Sequence, residues 1–353
     1  MSGRFLRLAD ELFPINKLLR KMKNIKTILF VVLMLTVTNL AFARLRVIVS
    51  TDFPVIPVTN SDPDDVQSMV RFLLYSNEFN IEGLIASAGS FSMSAEKKNI
   101  MAVLDKYALV VDNLKKHDTR YPTADYLRSV TYEGSGTNHN INIKWGCDKQ
   151  PWTDIIGLGK DSEASNAIIA AADKPDPRPI YICVWGGARE VAQAIWKVQN
   201  TRSETELNAF IAKLRVYLIT CQDATHNWLM DNFPNLFIIE SKTTYLGMFG
   251  VGNLLWIDTN IINNHGPLGA IYPPRAIAGQ GVIEGDTPSF MYLVSANRGI
   301  NNPEDPTQQS WGGQYVRIDS SKHYTDGPGK STISMWSKEF QAEFQERANW
   351  MLP

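Results

Sequence analysis

Residues 45–88 read LRVIVSTDFPVIPVTNSDPDDVQSMVRFLLYSNEFNIEGLIASA. The stretch opens on LRVIVST (45–51), β-branched and without polar alternation through its middle, which suits a strand covered on both faces. A loop with two prolines follows. DDVQSMVRFLLYSNE (64–78) then places Val66, Met69, Val70, Leu73 and Leu74 at helical spacing. IEGLIASA (81–88) is a strand again. Strand, helix, strand in this order predicts a parallel pair joined by a crossover helix.

The same alternation continues outward. AEKKNIMAVLDKYALVVDNLKKH (95–117) reads as one long helix, closed by the basic residues that its dipole prefers. The stretch 118–160 is rich in Gly, Asn and Thr and reads as irregular. SEASNAIIAAAD (162–173) and AREVAQAIWKVQ (188–199) are helices. PIYICVWGG (179–187), LRVYLIT (214–220) and NLFIIES (235–241) are strands. The fold class is therefore α/β: a mostly parallel sheet with helices on both faces, in one domain over 44–353. Ligands of such sheets bind beyond the C-terminal strand ends. That rule brings Asp52, Ala88-Gly89-Ser90, Trp185-Gly186-Gly187 and Cys221-Gln222-Asp223 to one edge.

The chain has 353 residues, 44% hydrophobic and 20% charged, so a sizeable core is available. A net charge of −1 gives no reason to expect nucleic acid as a partner. From Met22 the sequence has the form of a secretory leader. Lys23 and Lys26 are basic, Ile28 to Val37 is apolar, and Ala41-Phe42-Ala43 is a small-x-small cleavage site. Residues 1–43 are thus expected to be an N-terminal extension and signal peptide. The apolar run is too short for a stable membrane anchor. The mature protein is expected to be exported, to a periplasm or the medium. Three cysteines fit no disulfide framework, and Cys183 and Cys221 read as small buried hydrophobes.

Two readings of Asp62-Pro63-Asp64-Asp65 compete. In one, Ser61 or Asp62 caps the helix, Pro63 fills its first position and acids line its first turn. In the other, the acids hold a metal. Capping leaves Asp52 unexplained, because a carboxylate at the end of a buried strand is costly unless paired, hydrated or metal-bound. A hard cation with oxygen ligands would relieve the repulsion, and Ca²⁺ suits a flexible site. Trp145, Trp152, Trp228 and Trp311 lie in expected loops, where they either stack on sugar rings or cover small satellite cores.

The strand–Asp–loop–Asp-Asp–helix arrangement resembles the start of the inosine–uridine-preferring nucleoside hydrolases. VIVSTD…SDPDDVQSMVRFLLYSNEFNIEGLI, the WGGA turn, HGPLGAIYP (265–273), EGDTPSF (284–290) and FQAEFQERANWM (340–351) together resemble a secreted bacterial branch of that fold, the cellulose-binding, nucleoside-hydrolase-like proteins. The resemblance implies a Ca²⁺-dependent hydrolase of a glycosyl bond, acting on a nucleoside-like or carbohydrate small molecule. The alternative is a carbohydrate-binding protein without catalysis. Homo-oligomerisation stays open. Asp65 is the first metal ligand implied, and Asp62 is either ligand or water-activating base. Asp64 and Asp52 are second choices, as ligand or as partner to the sugar ring. Trp185 would offer a backbone carbonyl, and Asp286 would close the coordination sphere. Asn227 joins Trp185 and Asp64 as a substrate-binding candidate. FPVIPVTNS lengthens the aspartate turn relative to the family, and Gly285 and Glu284 stand where a histidine often precedes the late aspartate. Glu284, His226 and His265 are the candidate substitutes for that histidine. Relatives continue into a further β-rich domain, which this chain is expected to lack.

Overall fold

Leu45–Thr51 forms β1, the strand around which the sheet is built. The computed structural model describes residues 44–58, 63–90, 92–135, 147, 150–273 and 281–353. The expected leader, Asp62 and Trp145 lie outside them. β1 pairs in parallel with β2 (Phe79–Ala86) on one side and with β4 (Ile180–Val184) on the other. β3 is Thr131–Glu133, β5 Leu214–Ile219, β6 Phe237–Ser241, β7 Tyr315–Ile318 and β8 His323–Asp326. The order across the sheet is β3-β2-β1-β4-β5-β6-β8-β7, and only the β7–β8 pair is antiparallel. Strand order reverses at β1, so the loops after β1 and β4 diverge to opposite faces and leave a crevice between them.

Both faces of the sheet carry a core, which is why β1 shows no polar alternation. Val47 and Val49 pack with α1 (Asp64–Leu74), α2 (Lys97–Ala108) and residues near the C-terminus. Ile48 points the other way, into a core with Ile182, Val184, Val216 and Leu218. Helices α5 (Glu163–Asp173), α6 (Arg189–Thr201) and α8 (Thr225–Asn232) cover that second face. Leu45–Pro353 forms one compact unit. Among the described residues, no helix is long and apolar enough to cross a membrane.

Some local expectations change. The helix expected over 95–117 is two, α2 and α3 (Val111–His117). The break precedes the β-branched pair Val110-Val111, the weakest helix-forming point of that stretch. The stretch read as irregular contains α4 (Ala124–Ser129) and edge strand β3. Cys221 is not a free buried thiol. It forms a disulfide with Cys147, 74 residues away, and Cys183 alone stays reduced. Spacing could not show a bridge whose partner lies in an irregular stretch. Helix α7 (Glu204–Ala212) starts on a Ser203–Glu206 capping box. Helices α9 (Pro288–Asn297) and α10 (Ser337–Asn349) complete the α1 side of the sheet.

A candidate carboxylate and sugar site

Helix α1 is buried from Asp65 to Leu74. Its apolar residues meet the core, while Asp64, Gln67, Ser68 and Arg71 fall three and four apart and form a polar stripe. That stripe meets the 281–287 segment. Gln67 accepts from Ile283 N at 2.9 Å and donates to Gly281 O at 3.3 Å. Ser68 Oγ accepts from Thr287 Oγ1 at 3.1 Å, and Arg71 is paired with Glu284. The stripe thus fixes the first turn of α1 beside Asp286. Pro63 stands at the N-cap with no side-chain cap, one residue earlier than the expected N1. The expected caps Ser61 and Asp62 lie outside the described residues.

One carboxylate oxygen from each of Asp64, Asp65 and Asp286 lies within 4.8 Å of the others. Asp65 is 3% exposed and Asp286 2%, so the group is sunk into the protein rather than spread over its surface. Asp65 accepts a short hydrogen bond from Thr51, the last residue of β1. Asp64 Oδ1 accepts from Asp65 N at 2.9 Å. Gly285 allows the close approach, since a Cβ there would lie 2.8 Å from Asp64 Oδ2. An all-carboxylate donor set of this kind fits a hard divalent cation.

Asp52 occupies a separate place, one residue beyond Thr51. Its Oδ2 accepts from Ser92 N at 3.1 Å. A Cβ on Gly89 would lie 2.5 Å from Asp52 Oδ2, and one on Gly186 2.8 Å from Oδ1. The carboxylate is therefore wedged between the loops after β2 and β4, both of which need glycine there. Gln222, after β5, ties these loops together. Its Oε1 accepts from Ser90 N at 3.0 Å, and its Nε2 donates to the Trp185 carbonyl. The carbonyl expected to face a metal thus already accepts the Gln222 amide. The Trp185 indole donates to Ser289 Oγ at 2.8 Å, and Ser289 donates to Asp286 O at 2.6 Å. A chain of contacts therefore joins β4 to the Asp286 turn. Asp223 accepts from Thr225 N at 2.9 Å and pairs with Arg189 at 3.2 Å. Gln222, Asp223 and Arg189 had no role in the sequence reading, although Gln222 and Asp223 stand in a loop that topology singles out.

The three candidates for a leaving-group acid are placed in structural networks. Glu284 is fully buried, with its carboxylate turned to Arg71, Tyr272 and Thr287. His226 Nε2 meets Glu240 Oε1 at 2.9 Å. Burial alone would raise the Glu240 carboxyl, but His226 and Lys242 hold it below the usual range. His265 bonds Asn263 O at 2.7 Å and Asn349 Oδ1 at 3.0 Å, against the end of α10. Asn227 lies on α8 and lines a different cleft, with Trp152 and Trp228.

Residues 46–315 match the family model described as cellulose-binding Sde182, nucleoside hydrolase-like domain. A solved structure similar to this chain is a nucleoside hydrolase-related hypothetical protein from Saccharophagus degradans, associated with carbohydrate metabolism. It is 38% identical, with a TM-score of 0.73 over 88% of this chain and 72% of that one. The effector protein XOO4466 superposes with a TM-score of 0.47 at 9% identity, over 88% of this chain and 94% of that one. No curated protein matches the chain.

Proposed function

This chain belongs to the family of cellulose-binding, nucleoside-hydrolase-like domains, and on that premise we propose that its crevice cleaves a glycosyl bond of a nucleoside-like or carbohydrate ligand at a Ca²⁺ ion. The reading rests on one observation, the convergence of Asp64, Asp65 and Asp286 within 4.8 Å. These three would hold the ion. Bound there, Ca²⁺ would supply a grip on vicinal hydroxyls and a lowered pKa for a coordinated water. Thr51 keeps Asp65 oriented, and the Trp185–Ser289 contact steadies the Asp286 turn. Asp52, buried and wedged between two glycines, is suited to accept hydrogen bonds from sugar hydroxyls. Asp62 and Asp52 are the candidates to take the proton of the attacking water, work worth about 10²–10⁴ in rate. The mature protein would act after export.

The second reading keeps the ion and the sugar and drops catalysis. What favours it is the engagement of Glu284, His226 and His265 in hydrogen bonds that hold the scaffold. Calorimetric Ca²⁺ titration of the wild type, Asp65→Asn and Asp286→Asn tests the site. Binding lost in both variants is the expected result, and binding unchanged in both would overturn it. Turnover of inosine, uridine and p-nitrophenyl riboside, beside retention on insoluble cellulose, separates hydrolysis from binding alone.

A further inference from the structure

Trp152 is the one tryptophan that stands exposed among the described residues, at 36%. It does not cover a satellite core. It forms one wall of an open cleft of about 550 Å³. Trp228, only 6% exposed, backs it with ring centroids 5.6 Å apart and planes inclined by 39°. Trp228 is in turn packed edge-on against Phe233 at 5.0 Å. The other wall is α8, which places Asn227 and Asp231 one turn apart on the cleft. Asn232 and Gln150 complete the polar lining. The Asp231 carboxylate makes no hydrogen bond or ion pair among the described residues.

From this geometry we infer that the cleft is a glycan subsite, which takes pyranose rings of a β-1,4-linked glucan against the Trp152 face. The inference deepens the carbohydrate reading above and rests on it. The axial C–H groups of a pyranose match the negative face of an indole. Adjacent equatorial hydroxyls need acceptors and donors side by side, which a carboxylate and amides at helical spacing provide. The volume is in the range of pockets that enclose small ligands, about 300–1,000 Å³. A protein partner fits less well, since one exposed indole, backed by the buried Trp228, among amides and a carboxylate is not a large apolar patch. Cys147, which lines the cleft beside Pro151 and Trp152, is bridged to Cys221 just after β5. Gln222, next to Cys221, reaches the Trp185 carbonyl at the carboxylate crevice. A chain in the cleft would therefore run along the same sheet edge as the Asp64–Asp65–Asp286 group.

The test is calorimetric titration of cellohexaose into the wild type, Trp152→Ala, Asp231→Asn and Asp286→Asn, with xylohexaose as the second probe. The first two variants are expected to lose about tenfold in affinity, the scale of one stacking or hydrogen-bonding contact. Trp152→Ala and Asp231→Asn binding like the wild type would overturn the cleft, and loss of the sugar in Asp286→Asn would then leave the carboxylate crevice as the carbohydrate site. A wild type that binds neither oligosaccharide also overturns the cleft. The crevice reading is then judged separately, by its own Ca²⁺ titration.

Discussion

Replacing Glu284 by Gln removes one charge from the interior and almost no volume. Arg71 and Glu284 expose no side-chain surface. Their contact is two-pronged, Nε to Oε2 at 2.5 Å and Nη2 to Oε1 at 3.1 Å. Glu284 also accepts from Tyr272 at 2.6 Å and Thr287 at 2.9 Å. In Glu284→Gln only one of the two hydroxyls keeps its acceptor, the other facing an amide NH2, and the guanidinium loses its counter-charge, with Gln341 at 2.7 Å, the Phe340 carbonyl at 3.5 Å and the Phe344 ring at 3.7 Å as its remaining partners. Breaking a buried pair on one side costs about 3–5 kcal/mol. Against a domain stability of about 5–15 kcal/mol, that loss is visible in any denaturation curve. The assay is urea unfolding at neutral pH followed by tryptophan fluorescence. The double variant Arg71→Met/Glu284→Leu is expected to recover most of the loss, because it leaves no uncompensated charge. A destabilisation below about 1 kcal/mol, together with abolished turnover, would refute the argument. Glu284 would then be a solvated catalytic acid and not the pin between α1 and the Asp286 turn.

Three further outcomes are expected. Cys147→Ser removes a crosslink spanning 74 residues, which the chain-entropy relation values at about 4 kcal/mol; a reductant should lower the Tm of the wild type and leave the variant unmoved. Gly186→Ala puts a methyl 2.8 Å from Asp52 Oδ1, so an overpacking cost of about 1–3 kcal/mol is expected with loss of sugar binding, and wild-type affinity in calorimetry would show that Asp52 is not held as described. Burial raises the Glu190 carboxyl above its usual range, more than Ser162, Ser135 and Arg189 lower it. A folded state that holds this proton longer is favoured below the ordinary carboxyl pKa of 4.5, and the advantage is lost as pH rises through the raised value. Glu190→Gln should therefore show a flatter stability profile through that window, and a profile parallel to the wild type in urea unfolding at several pH values would contradict it.

The β-α-β start of the chain was legible because both faces of β1 are covered, and a two-sided strand leaves an unbroken apolar run. The crevice was legible from topology alone, since the loops after β1, β2, β4 and β5 lie on one edge of parallel strands. The acidic residues were legible, but not which of them come together: Asp64, Asp65 and Asp286 each bring a carboxylate oxygen within 4.8 Å of the others. One residue along a helix turns a side chain by about 100°, and the helix start could not be fixed to that accuracy. The roles of Glu284 and His265 could not be read at all. Each depends on a partner far away in sequence, Arg71 at 213 positions and Asn349 at 84, and a pairing of that kind leaves no local pattern.

The same long-range pairing bears on the chemistry that the crevice can carry. Asp64 and Asp65 arrive on α1 and Asp286 on a distant turn, so the carboxylate group exists only because the stripe of Gln67, Ser68 and Arg71 seats that turn against the helix. A site assembled over a buried ion pair is stiff, which favours a fixed ligand geometry. Stiffness has a cost when a proton must be delivered to a leaving group, since Glu284, His226 and His265 are all committed to hydrogen bonds that hold the scaffold. General-acid assistance is worth about 10²–10⁴ in rate, and a bond whose leaving group is a poor anion needs it most. A p-nitrophenyl leaving group departs without a proton; a purine or a sugar hydroxyl does not. If the proposed hydrolysis runs on these residues alone, p-nitrophenyl riboside turns over while inosine is left nearly untouched. Comparable rates on both would mean that a described acid is freer than its contacts allow, or that a group outside the described residues supplies the proton.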